Sequence, residues 1–430
     1  MIVSIEWLKE FVDIEEKPHE LADMLSIIGL EAEINSAPTE TSGVVIAKVE
    51  STEKHPNADK LKICVVNDGN DKHTVVCGAP NVSEGQTIAF AKVGSILPGN
   101  LKIKKATIRG IESSGMICSE RELTISDEHE GIMVLPNDLV LGENFIASYG
   151  YKYISLKLDI TPNRPDAFSH LGVARDISCK TNRKFRNVIY DTVSSKNEKS
   201  IDISMENLND CPRYIGAIVG GIKVGPSPDW LVEKLKSIGQ RSINNIVDIS
   251  NYVLMEIGHP THIFDYDTIK NKNIYVRRAI KGEVITTLDD KKHNLDQMHL
   301  LITDGDNPLA LAGIMGGAET AVSDSTTTVF LESAYFDPVT IRKSSKNLSL
   351  STDASKRFER GADPNCCEAA FWRVMNLLTE IAGGKVISEV IDIYPDHIKP
   401  KHVKVRKREI ELILGIDFEN DVIENILENL

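Results

Sequence analysis

A chain of 430 residues, 41% of them apolar, is too long for one hydrophobic core, and roughly two to four domains are expected. Its formal charge of −14 excludes a protein that coats nucleic acid non-specifically, while leaving room for a local basic site. The longest apolar run, residues 309–318, is too short and glycine-rich to cross a bilayer, and the first residues lack the pattern of a secretion signal, so the cytoplasm is the expected compartment.

Residues 1–38 read as two short helices. Ile5, Leu8 and Phe11 share one face, and after Pro18 a stripe of Leu21, Met24, Leu25 and Ile28 runs to Gly29. Two such helices cannot bury a core alone and need a later partner. From about residue 41 short β-rich runs follow, at 44–49, 61–66, 73–77, 87–91, 103–108, 115–118 and 132–134, with turn residues between them. Many short strands over this length predict a small closed barrel. The loops His55-Pro-Asn57-Ala-Asp-Lys60-Leu61 and Cys77-Gly-Ala-Pro-Asn81 are unusual in it. Lys102, Lys104, Lys105 and Arg109 form a basic run, which is either an RNA-facing stripe or the solvated face of an edge strand.

Residues 156–160 alternate again, and Ser169 is the expected N-cap of a helix running through Asp176. This helix is the natural partner of the first two. The barrel, residues 39–150, would then interrupt a domain made of 1–38 plus 151–190. Residues 182–210 read as a polar linker with one strand near 202–204. An α/β region over 200–395 follows. It has a buried strand at 214–222, a helix at 228–238 and an apolar segment at 246–254 that carries Asp248 and Asn251. Further strands are expected at 273–278, 286–290, 300–303 and 309–315, and a last short one at 329–331 leaves Glu332 at its end. Helices at 337–344 and 364–382 close the region, the second stopped by Gly383-Gly384. From 399, six Lys/Arg in ten residues lead into an acidic helical pattern. The basic segment either touches a phosphate backbone or pairs with its acidic neighbours. Residues 399–430 are too few to fold alone and read as the start of a further domain.

Seven cysteines, scattered and without a CxxC pair, predict inert thiols rather than a disulfide framework or structural zinc. No phosphate loop, dinucleotide loop or HExxH occurs, and no serine elbow or Cys-His arrangement stands out. Polar residues gather instead in 241–360. His259 and His262 flank Pro260 in an expected loop, either as fixed proton carriers or as ordinary loop residues. Glu332 follows an apolar run, where a carboxylate is costly unless satisfied. An internal ion pair to Arg241 or Arg357 would do so, as would a ligand hydroxyl or amine. Gly313-x-x-Gly316-Gly317 lacks the lysine of a phosphate loop and reads as backbone close to a ligand or as a tight strand end.

Taken in order, these motifs resemble the β subunits of bacterial phenylalanyl-tRNA synthetases from Met1 to Leu430. Ile2, Ser4, Trp7 and Leu8 match the family's start. The His55 and Cys77 loops, Lys104-Lys-Ala-x-Ile-Arg109-Gly and Ser114-Gly-Met-Ile-Cys-Ser119-Glu are similar to its inserted tRNA-binding OB-fold. Asp159-Ile-Thr-Pro-Asn-Arg-Pro-Asp166 with Ser169-His-Leu-Gly resumes its split N-terminal domain, and Arg241 through Arg360-Gly resembles its editing domain.

The resemblance implies a multidomain α+β chain: a split N-terminal domain around an OB-fold barrel, then a B3/B4-type editing domain and the start of a winged-helix-like, B5-type small domain. It implies tRNA-Phe and an α subunit as partners in an α2β2 tetramer, with no membrane partner. Aminoacylation belongs to the α subunit. ATP and magnesium are expected only in the full complex, and no cofactor or metal on this segment. The family's β subunit continues well beyond the equivalent of residue 430. By resemblance, Arg241, His262, Glu332 and Thr352 are catalytic candidates for hydrolysing tyrosyl-tRNA-Phe. Asn244, Pro260, Ala312, Gly313 and Ala354 would bind substrate, and His55, Asn57, Lys60, Lys102, Lys104, Lys105, Arg109 and Ser119 would contact tRNA. The alternatives are a freestanding trans-editing hydrolase and a non-catalytic tRNA-binding fragment.

Overall fold

Residues 1–38, expected to hold two helices, also supply two strands. In the computed structural model β1 (Ile2–Ser4) leads into α1 (Ile5–Leu8), and α2 (Pro18–Ile27) into β2 (Glu31–Ile34). The structure describes residues 1–35, 41–126 and 129–430; the expected domain junction near residue 38 lies outside the described residues. These residues form two compact units. One comprises Met1–Trp7, Ile14–Asp159 and Lys236–Arg241, the other Leu8–Asp13, Ile160–Leu235 and Ser242–Leu430.

The remaining strands of the first unit are β3 (Ser42–Lys54), β4 (Lys62–Asn67), β5 (Lys72–Cys77), β6 (Thr87–Leu97), β7 (Leu101–Lys102), β8 (Ala106–Ile108), β9 (Ile111–Ser113), β10 (Met116–Ile117), β11 (Val134–Leu135) and, after the short helix α3 (Phe145–Ser148), β12 (Ser155–Asp159). In the first sheet β12 lies between β1 and β2, antiparallel to both, so residues on either side of the β-rich segment share one sheet. The larger sheet runs β10-β6-β3-β4-β5, with β7 and β11 also on β6. Thr87–Ala91 shows no alternation of burial because both faces are covered. Ala89 and Ala91 enter one apolar cluster, and Ile88 and Phe90 the other. Strands β5 and β10 share no ladder, and the ends of the sheet meet through Ser114 N, which donates to Thr74 O at 2.8 Å.

One expected strand is two. Buried Ile103 still exchanges backbone hydrogen bonds with Gly94 and Ser95 of β6, at 2.8 and 2.9 Å, whereas β8 turns away to pair with β9. That hairpin closes through Arg109 (φ 50°) and Gly110 (φ 94°), a two-residue turn with both positions left-handed. The expected strand at 286–290 is likewise corrected.

The second unit adds α4 (His170–Thr181), β13 (Asp202–Met205), β14 (Arg213–Gly220), α5 (Asp229–Ser237, whose end joins the first unit), α6 (Asn245–Ile257), β15 (Thr261–Asp265), β16 (Asn273–Arg278), β17 (Val284–Thr286), β18 (Lys292–Asn294), β19 (Leu300–Thr303), β20 (Pro308–Leu311), β21 (Met315–Gly316), β22 (Thr328–Tyr335), α7 (Pro338–Leu348), α8 (Asp353–Phe358), α9 (Cys366–Ala382), β23 (Lys385–Val386), β24 (Ile391–Ile393), α10 (Lys407–Leu414) and α11 (Asn420–Asn429). β17 stops at Thr286, and a turn with Asp290 at φ 60° leads to β18. Two five-stranded sheets, β13-β16-β19-β20-β21 and β15-β22-β14-β23 with β24 on β14, share an apolar core. The facing residues of the second sheet include Tyr214, Ile218, Phe264, Phe330 and Ala334. On its other face the Ser333 hydroxyl donates to Cys367 O of α9 at 2.8 Å.

Ser169 caps α4 as its position predicts, the hydroxyl accepting from Gly172 N at 2.9 Å. A Cβ on residue 172 would stand 1.8 Å from Asp166 O, so glycine lets the Thr161–Asp166 run lie against the helix start. Arg357 and Arg360 bind the residues on either side of that run. They donate to Phe168 O and Ile160 O at 3.1 and 2.9 Å, and both guanidinium groups lie over the Phe168 ring. In the last segment, Lys407 pairs with Glu411 and Asp417 and Arg406 with Glu409, one of the two readings offered for that basic run.

Candidate functional site

Antiparallel register assembles the site. Glu332 lies directly opposite His262 of β15 on one side and Gly216 of β14 on the other. It is therefore inside an eight-residue strand with partners on both edges, not at a strand end, because Ser333, Ala334 and Tyr335 continue the ladder. His262 is likewise on a strand rather than in a loop. Directly paired residues point to the same face. Glu332 and His262 thus both face the core between the sheets and line a small cavity of about 60 Å³.

Its other walls are Pro260 and Thr261, Ile302, Ala310 and Leu311, the Gly313–Gly316 turn, and Ala354 and Phe358 from α8. One helix cap builds much of this wall. The Thr352 hydroxyl accepts from Ser355 N at 3.0 Å, starting α8, and donates to Ile314 O at 2.8 Å, fastening the helix to the turn. Gly313 has φ 67°, which favours glycine, and a Cβ there would press on Phe336, Ile341 and Phe358.

Electrostatically the cavity holds two proton carriers and no formal charge near neutral pH. Burial raises the Glu332 carboxyl to about 8, against the opposing effect of one hydrogen bond from Tyr214. That phenol donates to Oε2 at 2.8 Å, while Oε1 has no hydrogen bond within the described residues. Burial lowers His262 to about 4, so its imidazole is neutral. The ring stands edge-on to Phe264, with centroids 4.4 Å apart.

The ion pairs considered for Glu332 are not formed. Arg357 donates to Phe168 O, Asp353 O and Met255 S, and Arg241 is exposed and falls with the first unit.

The structure brings together His262, Glu332, Pro260, Gly313 and Ala354, with Thr352 behind the turn they share. Asn244 is not a lining residue. It is the N-cap of α6, its Oδ1 accepting from Ile246 N and Val247 N at 3.1 and 3.0 Å. Ala312 is buried beside the turn, its N–H donating to Leu300 O. His259 points away into the core, Nε2 at 3.1 Å from Ala334 O.

Sequence reasoning missed Tyr214, Thr261 and Phe358, and gave Gly316 no role of its own. A Cβ on Gly316 would approach His262 Cε1 to 2.4 Å, so the bare glycine makes room for the imidazole. Gly316→Ala is expected to displace the ring and destabilise this unit by about 1–3 kcal/mol. Urea unfolding and the His262 imidazole resonances check this, and unchanged resonances would remove the packing argument.

In the first unit, His55 is buried, with Nε2 at 3.1 Å from Ile108 O and Nδ1 accepting from Asn57 N. The Asn57 amide donates to Arg109 O at 3.3 Å, so the His55 loop is fastened to the β8–β9 hairpin. Lys60, Lys102, Lys104, Lys105 and Arg109 are exposed, and Lys105 pairs with Glu112 at 3.1 Å. Ser119 is buried and its hydroxyl is bound to Glu122. The Asn81 amide bonds both backbone groups of Ile132, which gives the Ala-Pro-Asn motif a structural role. Among the described residues no group of three or more His, Cys, Asp or Glu is placed to hold a metal ion, and no helix is long and apolar enough to cross a membrane.

Two family models match within the chain, a B3/4 domain over residues 210–383 and a tRNA-binding domain over residues 44–144. The cavity lies within the first match. Over its full length the chain is 44% identical to the phenylalanine-tRNA ligase beta subunit of Geobacter sulfurreducens, covering 54% of that protein. The chain belongs to the bacterial-type phenylalanine-tRNA ligase beta subunits. The corresponding proteins of Geobacter metallireducens and Syntrophotalea carbinolica are 44% and 45% identical over 100% and 99% of this chain. The chain spans about half the length of these curated relatives, 54% and 53% for the latter two. Its segments therefore carry a phenylalanine-tRNA ligase architecture with an editing-type and a tRNA-binding region.

Proposed function

We infer that this chain is the tRNA-binding and proofreading portion of a phenylalanine-tRNA ligase beta subunit, and that its cavity hydrolyses tyrosine esterified to tRNA-Phe. The observation that carries the reading is the Glu332 carboxyl, buried with one oxygen bound by Tyr214 and the other unbonded, across the strand from a neutral His262. Tyrosine and phenylalanine differ by one hydroxyl. An apolar pocket rejects the larger one poorly, whereas a buried polar group rewards the hydroxyl and stays unpaired without it. In its neutral form the free side of Glu332 can accept the phenol hydrogen or donate its own.

The ester needs no covalent intermediate. A water held by His262 attacks the carbonyl carbon and gives up a proton to the neutral imidazole, which passes it to the ribose oxygen as the bond to that oxygen breaks and tyrosine leaves. Thr352 acts through the Ile314 turn. The sheet of the first unit would complete an OB-fold barrel whose exposed Lys60, Lys102, Lys104, Lys105 and Arg109 meet the tRNA backbone. Residues 399–430 would open a winged-helix-like domain. Aminoacylation, with ATP and magnesium, would belong to an α subunit in an α2β2 assembly.

The test is release of labelled tyrosine from tyrosyl-tRNA-Phe by the chain and by His262→Ala. Hydrolysis above the spontaneous rate, reduced at least tenfold in the variant, is the expected outcome. Equal rates for the two proteins would remove His262 from the chemistry.

A further inference from the structure

The Tyr214–Glu332 pair has a geometry that packing alone does not require. Tyr214 lies opposite Ala334, and Glu332 opposite Gly216, so the two side chains are diagonal neighbours on one face. A diagonal pair is within reach only of long or aromatic side chains. The phenol spans the gap to Glu332 Oε2 at 2.8 Å. Gly216 leaves the place beside the carboxyl without a side chain, and a Cβ there would stand 2.4 Å from Phe330. Tyr214 is fully buried and does not line the cavity, so it holds the carboxyl from behind while Glu332 forms part of the wall.

We propose that Tyr214 is a positioning residue for hydroxyl recognition: its phenol fixes one oxygen of Glu332 so that the other is presented to the hydroxyl of an aromatic aminoacyl ester. This rests on the proofreading reading above. A glutamate has three side-chain torsions, and an untethered carboxyl would lose rotamer freedom on meeting the ligand; the tether removes that freedom beforehand. It also divides the carboxyl's acceptors between two phenols, one from the protein and one from the ligand. A tyrosyl ester then completes a pattern that a phenylalanyl ester leaves half made.

The titratable groups that face Glu332 are Tyr214 on β14, His262 on β15 and the Cys211 thiol before β14, which burial and then Glu332 itself push up. With His262 and Cys211 uncharged at neutral pH, the Tyr214 phenol is, among the described residues, the partner that favours the ionised carboxyl. Its removal therefore moves the Glu332 titration upward.

The experiment compares the unaltered chain, Tyr214→Phe and Glu332→Ala. It reads the ratio of tyrosyl- to phenylalanyl-tRNA-Phe hydrolysis and, by carboxyl carbon NMR, the Glu332 titration. Tyr214→Phe is expected to lower the ratio roughly 3- to 10-fold, the value of one hydrogen bond, and to raise the titration midpoint. A stronger phenol donor of nearly the same shape, 3-fluorotyrosine at position 214, should move the midpoint down; this arm remains informative if the phenylalanine variant does not fold. An unchanged ratio in Tyr214→Phe, with the ratio lost in Glu332→Ala, overturns the positioning role and leaves the proofreading reading intact. An unchanged ratio in Glu332→Ala overturns both. A midpoint unmoved by either substitution also overturns the tether.

Discussion

Glu332→Ala is expected to abolish the preference for tyrosyl over phenylalanyl ester, a fall of roughly 5- to 150-fold in the ratio of the two rates. That range corresponds to the ~1–3 kcal/mol penalty of leaving a buried polar group unpaired, at tenfold per about 1.4 kcal/mol. The direction follows from placement. Glu332 is 5% exposed and lines the cavity, its Oε2 is engaged by Tyr214, and its Oε1 has no hydrogen bond within the described residues. Alanine leaves an apolar slot that treats the two rings alike. His262→Ala is expected to lower both rates, because the imidazole serves the water rather than the hydroxyl. The assay of both esters with both variants separates recognition from chemistry, and a Glu332→Ala protein that kept its preference would place the hydroxyl elsewhere.

Glu332→Gln is expected to change how stability depends on pH. The folded chain holds the Glu332 proton up to about pH 8, whereas an unfolded glutamate releases it near its ordinary value of 4.5. Between these values the folded state binds one more proton, so stability falls as pH rises, at about 1.4 kcal/mol per pH unit. Buried histidines act oppositely. His170, His259 and His262 are pushed by burial to about 3, 4 and 4, so between those values and 6.5 the unfolded chain binds the extra protons and stability rises with pH. Above 6.5 the histidine contribution is complete and that of Glu332 continues. From pH 6.5 to 8 the Gln variant should therefore gain about 2 kcal/mol on the parent. The urea midpoint of the transition that unfolds this unit, measured across that range, checks it. Parallel curves would mean that Glu332 ionises in the folded chain at an ordinary pH.

Local chemistry was legible in the sequence. Ser169 before an amphipathic run gave a helix cap, Gly383 a helix stop, and the α9 stripe its buried face, since each depends on neighbours a few residues away. The candidate site was legible only as a list. Nothing in 241–360 announces that His262 faces Glu332, because strand register is set by pairing across 70 residues of chain, and Tyr214 is 118 residues from its partner. Glu332 was misplaced at a strand end because a carboxylate in an apolar run suggests a boundary. Its tolerance inside β22 comes from a phenol on another strand. The Gly313–Gly317 run was legible as a close approach or a tight strand end, but the ring that approaches Gly316 was not. Asn244, singled out within the Arg241 motif, proved to be a helix cap, the commonest use of that residue type at such a position.

The most direct measurement is the ratio of hydrolysis rates for tyrosyl- and phenylalanyl-tRNA-Phe with the unaltered chain, at neutral pH and without ATP or an α subunit. A cavity that reads one hydroxyl through Glu332 predicts faster release of tyrosine, by roughly 5- to 150-fold. Equal rates for the two esters, or no release above the spontaneous rate, would contradict it.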